Sequence, residues 1–168
     1  YSKFNDGLAT YKKKIEKALY DQCMKVVNIA KNKCLPLAAD DESKAFFQKM
    51  VGDYYRYVAE SAHDAILEEV KQGALEGYNA ATGLSVGLNA CNPIRLGLAL
   101  NFSVFHYEVL NDHKKACTIG EEALTNALEN IDDVDEEVFR DAKSIIELLK
   151  ENLSLWKEEE GDNQLEDL

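Results

Sequence analysis

Asn92–Leu110, NPIRLGLALNFSVFHYEVL, is the stretch on which the reading of this chain turns. Pro93 suits a first helical position, where its fixed φ is already helical and its missing N–H would find no partner anyway; Asn92 before it is a good cap. Ile94, Leu98, Phe102, Phe105 and Val109 recur at helical spacing as one apolar stripe, and Leu96, Leu100, Tyr107 and Leu110 as a second. A helix apolar on two sides lies inside a domain with neighbours on both. Its third side reads Gly97, Asn101, Val104, Glu108, so an amide and a carboxylate stand in line on a helix of buried type. Two readings of that side stay open. Either these polar groups are satisfied within the core, or they line a groove in which a ligand lies.

Outward from this helix, the same periodicity predicts five more. The first covers roughly 9–33, with Ile15, Leu19, Cys23, Val26, Val27 and Ala30 at three- and four-residue steps, and Pro36 stops it. Asp40 and Asp41 cap a second over about 42–61, where acidic residues suit the helix dipole. A third, 63–88, contains Gly73, Gly77, Gly83 and Gly87, so close packing or a break is expected there. Asn111-Asp112 caps a helix to about Asn130, and Asp135 starts the last one, which ends near Lys157. The tail EEEGDNQLEDL, 158–168, is too acidic and too poor in apolar residues to pack, and is expected to be disordered. No segment alternates apolar and polar residues over a useful length. The expectation is therefore all-α: an antiparallel array of six helices in a single domain over 1–157. No self-similarity at the tetratricopeptide repeat length supports a solenoid.

Composition narrows the functional classes. With 168 residues, 46% of them hydrophobic, the chain suffices for one core or one lobe of a larger one. A net charge of −12 argues against nucleic acid, whose phosphates need clustered Lys and Arg. The charge is uneven: residues 1–34 hold eight Lys against three acids, whereas 121–168 hold seventeen acids against four bases. An acidic protein with such asymmetry can still carry a cationic cleft. Cys23, Cys34, Cys91 and Cys117 are scattered singles without metal-ligand spacing, read as reduced thiols, and His63, His106 and His113 are equally dispersed. No metal or other cofactor is expected. Neither a membrane-length apolar run nor a signal peptide appears, so a cytoplasmic setting without membrane contact is the expectation. Two N-x-Ser triplets, at Asn101 and Asn152, lie inside apolar helical patterns and are rejected as glycosylation sites.

Chemistry concentrates on the second helix. Lys49, Asp53, Arg56, Tyr57 and Glu60 share a polar face, opposite Phe47, Met50, Tyr54 and Val58 on the side expected to face the core. Asp53, three residues before Arg56, is placed to hold its guanidinium in one rotamer. A fixed guanidinium offers a planar fork to two phosphate oxygens, and the Tyr57 hydroxyl can add a further bond. Alone, such a face usually means a solvated surface. On the last helix Ile145, Leu148, Asn152 and Leu155 share a stripe, an amide among apolar side chains that mirrors Asn101 beside Val104. An amide can both donate and accept, which suits an extended backbone; a helix–helix hydrogen bond is the competing use of Asn152.

IRLGLALNFSVF followed by Tyr107-Glu108 resembles the signature run of 14-3-3 proteins, and GDYYRYVAE (52–60), YKKKIEKALYDQC (11–23) and IIELLKENLSLW (145–156) agree with it in order. The resemblance runs from about Tyr11 to Trp156. It implies the C-terminal part of a 14-3-3-like bundle, lacking an N-terminal portion of three helices that would supply a Lys and an Arg to the phosphate pocket and most of the dimer interface. It further implies a non-catalytic, cytoplasmic adaptor that binds phosphoserine or phosphothreonine segments of client proteins, a homo- or heterodimer when those helices are present. By the same resemblance Arg56 and Tyr57 would contact the phosphate, with Lys49 in the same groove. Asn101 and Asn152 would bond to the peptide backbone, and Glu108 would help organise the site. Leu100, Val104, Ile145, Leu148, Leu155 and Trp156 would form the opposite wall. Val51 departs from a common basic residue, Ser144 from an apolar one and His106 from a tyrosine. The bottom-up alternative is a helical module that binds unphosphorylated amphipathic partners. No nucleophile–base pair or phosphate-cradling glycine loop suggests an enzyme.

Overall fold

The computed structural model describes the backbone of residues 2–166 and the side chains of residues 5–159. Six helices carry the chain: α1 (Ser2–Ile29), α2 (Asp41–Ala59), α3 (Asp64–Ser85), α4 (Pro93–Val104), α5 (His113–Asn130) and α6 (Glu136–Glu166). Among the described residues there is no strand, so the chain is all-α. None of these helices is long and apolar enough to cross a membrane. The chain divides into two compact units, Tyr1–Ala81 and Thr82–Leu168.

The helix starts follow local chemistry. Asp40 takes the N–H of Ser43 at 2.7 Å, Asn92 takes those of Ile94 and Arg95, Asp112 that of Lys115 and Asp135 that of Val138. Each cap satisfies an N–H that the first turn leaves open. Asn111, at φ 52, makes the sharp reversal before α5 in a conformation that Asn tolerates better than most residues.

One of the expected helix bounds needs correction. Pro36 does not stop the first helix. A π turn over Ala30–Cys34, closed by the Leu35 N–H on the Ala30 carbonyl, widens the helix just before it. The wider turn accommodates the pyrrolidine ring that would crowd an α turn, and helical backbone continues through Leu35–Leu37 to an extended Ala38. Of the two alternatives expected for α3, close packing holds: the helix runs unbroken through Gly73, Gly77 and Gly83. A Cβ on Gly77 would meet the Gly52 nitrogen at 2.8 Å, and one on Gly73 the Tyr55 ring at 2.6 Å, so these glycines serve close packing of α2 on α3. The backbone of 158–166, within the expected tail, is helical through Glu166. Asp167 and Leu168, the end of that expected tail, lie outside the described residues.

In the first unit α1 and its π turn pack on α2. Val27, Ala30, Ala45, Val51, Tyr55, Val58, Val70, Ala74 and Tyr78 are buried there. The buried face of α2 is therefore turned from the expected one: Val51, Tyr55 and even Asp53 point inward, while Phe47, Met50 and Tyr54 are only half-buried. In the second unit α4, α5 and α6 each pack on the other two. One apolar cluster gathers Cys91, Leu96, Ala127, Ala142, Ile146 and Leu149; another gathers Ala116, Leu153 and Trp156. Helix α4 passes into a π turn over Phe105–Val109, and Leu110 donates to the Phe105 carbonyl at 3.1 Å. The inserted residue leaves His106 buried and Glu108 exposed. The four cysteines are free; Cys23 and Cys91 are buried, Cys34 and Cys117 half-buried.

Candidate functional site

The polar face of α2 is a connected chain of bonds. Lys49 Nζ lies 2.8 Å from Asp53 Oδ2, while Asp53 Oδ1 accepts the Tyr78 hydroxyl at 2.7 Å. The same hydroxyl oxygen accepts the Arg56 Nε–H at 3.2 Å, and Arg56 Nη1 reaches Glu60 Oε1 at 3.0 Å. Tyr57, itself exposed, places its ring 4.9 Å from the guanidinium carbon. The hydrogen bonds of Arg56 thus run to Tyr78 and Glu60. Asp53, expected to hold Arg56 in one rotamer, is linked to it through the Tyr78 hydroxyl and by its charge.

Electrostatics keep each group in its binding form. Burial disfavours the charge on Arg56, but the electron-rich Tyr78 and Asp53 outweigh it, and its pKa stands above the ordinary guanidinium value. Burial first, then the Asp53 carboxylate, pushes the Tyr78 hydroxyl far above its usual range. The Tyr57 hydroxyl is raised for the same reasons in the same order. Both phenols are therefore hydrogen-bond donors at neutral pH.

The remaining candidates belong to the second unit. Leu100 and Ile145 are half-buried against the Cys91–Leu149 cluster, and Val104 against the Leu153–Trp156 cluster. Asn101 and Asn152 are half-buried, and Glu108 is exposed on the π turn. Leu148 and Leu155 stand open, at 48% and 56% exposure. Trp156 is different. It is 7% exposed and lies flat on Tyr107, so it roots the wall rather than surfacing it. The structure thus brings Lys49, Arg56 and Tyr57 together in one unit, and the apolar and amide residues on α4 and α6 in the other.

Tyr78 escaped the sequence reading. The signal was the Gly77-Tyr78 step, whose glycine was read as close packing or a break without naming the tyrosine beside it. Among the described residues no group of three His, Cys, Asp or Glu side chains could hold a metal ion.

A family model described as 14-3-3 protein matches residues 2–157. The chain is 45% identical over 157 residues to 14-3-3 protein 2 of Entamoeba histolytica, covering 94% of this chain and 66% of that one. It is 41% identical over 150 residues to 14-3-3 protein epsilon of Drosophila melanogaster, covering 89% and 57% respectively. It is also 41% identical over 155 residues to the checkpoint signal transducer rad25 of Schizosaccharomyces pombe, covering 92% and 57%. The chain thus spans two thirds or less of the length of these relatives.

Proposed function

Because the chain belongs to the 14-3-3 family, we propose that it is a non-catalytic, cytoplasmic adaptor for phosphoserine- or phosphothreonine-containing segments of client proteins. The observation that carries this reading is the fixed guanidinium of Arg56. Tyr78 holds its Nε and Glu60 its Nη1, so its other N–H groups are offered in one plane. A phosphomonoester carries about −1.5 to −2 charges and three acceptor oxygens, and a planar fork meets two of those at once. The protonated Tyr57 hydroxyl donates to a third, and Lys49 adds charge beside them. The amides of Asn101 and Asn152 hold the main chain of an extended segment, because each can donate to a carbonyl and accept from an N–H. Leu148 and Leu155 take apolar side chains of that segment, with Leu100, Val104, Ile145 and Trp156 behind them. Glu108 organises the amide side of the site.

Dimerisation belongs to the same proposal. Leu8, Tyr11, Ile15 and Leu19 form an exposed apolar stripe on α1, which suits cover by a further helix or a second subunit. The exposed Leu148 and Leu155 also favour a second reading, an apolar groove for unphosphorylated amphipathic helices. Arg56→Glu separates the two. It abolishes binding of a phosphorylated peptide under the first reading; under the second, binding of an amphipathic unphosphorylated peptide survives and phosphorylation has no effect in the wild type.

A further inference from the structure

Tyr78 sits on α3 with its side chain fully buried, beneath the polar face of α2. Its ring lies against the spot where Gly52 has no side chain: a Cβ there would come within 2.7–2.9 Å of three ring carbons. Gly77, the preceding residue, lies against the Gly52 backbone. Two glycines on facing helices therefore bring a buried phenol up under the base of a partly buried arginine. The hydroxyl has one proton and its oxygen two lone pairs. It donates at 2.7 Å to Asp53 and accepts at 3.2 Å from Arg56 Nε, so both capacities are directed by charged partners on α2.

We propose that Tyr78 is the positioning residue of the phosphate site, orienting the Arg56 guanidinium through its Nε and coupling it to the Lys49–Asp53 pair. The inference rests on the phosphopeptide reading above and adds to it a residue that touches no ligand. An arginine carries several rotatable bonds, and a phosphate fork is lost if the guanidinium plane turns. Asp53 attracts the guanidinium by its charge and holds the Tyr78 hydroxyl at 2.7 Å, so the phenol is itself fixed from α2. Glu60 cannot set that plane, because it is an exposed side chain on one nitrogen. The phenol is rigid, buried and bonded to the single N–H nearest the pivot.

Tyr78→Phe tests this, since the ring stays against Gly52 and only the oxygen leaves. The expected result is a five- to twentyfold loss of affinity for a phosphoserine peptide, with affinity for its unphosphorylated twin unchanged. In an Arg56→Lys background the same substitution should cost less than twofold, because lysine has no Nε–H to orient. A purely structural role would lower affinity equally in both backgrounds. Independently of any peptide, the Arg56 Nε–Hε resonance of the free protein should be sharp and slow to exchange, and should lose that protection in Tyr78→Phe. If wild type prefers the phosphorylated peptide but Tyr78→Phe binds it as tightly and keeps the protected resonance, the positioning role is overturned and the adaptor reading stands. If wild type shows no preference for phosphate, the reading beneath falls and this inference falls with it.

Discussion

Trp156 and Tyr107 are stacked, their ring centroids 4.6 Å apart and their planes 12° from parallel. Tyr107 also stacks on His113 at 4.2 Å, and its hydroxyl bonds to Glu159. The π turn after α4 is thereby tied to the start of α5 and the far part of α6. Trp156 is the one tryptophan of the chain, so its emission reports on this contact. Tyr107→Leu should lower stability by about 1–2 kcal/mol, from the lost ring stacking and area. It should also shift the Trp156 emission to the red. Urea unfolding followed by fluorescence checks both; an unchanged spectrum would mean that the stack does not shield the indole.

The glycines of α3 should respond in opposite directions. A Cβ at Gly77 meets backbone, which cannot give, whereas Gly83 has nothing within 4 Å. Gly77→Ala is expected to cost about 1–3 kcal/mol by overpacking. Gly83→Ala is expected to add about 0.5–1 kcal/mol by removing unfolded-state freedom and raising helix propensity. Thermal unfolding of the two variants side by side decides the point.

Ion pairs of similar length should differ in worth. Asp53 is 7% exposed and accepts bonds from Lys49 and from the buried Tyr78. Asp53→Ala strips both of that acceptor and should cost about 1–3 kcal/mol, the usual penalty when a buried donor loses its partner. Lys17 pairs with Asp21 at 3.0 Å on an open surface. Lys17→Ala should change stability by less than about 0.5 kcal/mol. Denaturant midpoints of the two variants provide the comparison.

His106 gives stability a pH dependence. Burial first, then Lys115, lowers its pKa below the ordinary histidine value, and Asp112, whose carboxylate is 3.8 Å from Nδ1, only partly offsets this. Nδ1 is buried and without a hydrogen-bond partner among the described residues. With the folded value below the unfolded one, the unfolded chain takes the proton first as pH falls. This contribution is therefore complete above the ordinary histidine value and is lost as pH drops through the folded value. His106→Phe should flatten the pH 5–7 part of the stability profile relative to wild type. An unchanged slope would place the acid sensitivity elsewhere.

What was legible in the sequence was whatever depends on near neighbours. Asp40, Asn92, Asp112 and Asp135 mark helix starts because a cap needs only the next three residues. The stripes of the central stretch identified Leu98, Phe102 and Phe105 as core for the same reason. The two π turns were not legible, because an inserted residue is selected by the packing of distant elements rather than by local preference. The passage of helical backbone through Pro36 follows from the first of them. At the site, Lys49, Arg56 and Tyr57 could be grouped from their spacing, but Tyr78, one of the two partners of Arg56, lies 22 residues away on another helix. The burial of Trp156, likewise, is set by Tyr107, on another helix.

The central claim is that phosphate, not apolar fit alone, selects the ligand. Its most direct test is a fluorescence-polarisation titration of the wild-type protein with one serine peptide in phosphorylated and unphosphorylated form. The account predicts at least a tenfold preference for the phosphorylated peptide, about 1.4 kcal/mol or more, shrinking as salt is raised. Equal affinity for the two peptides would contradict it.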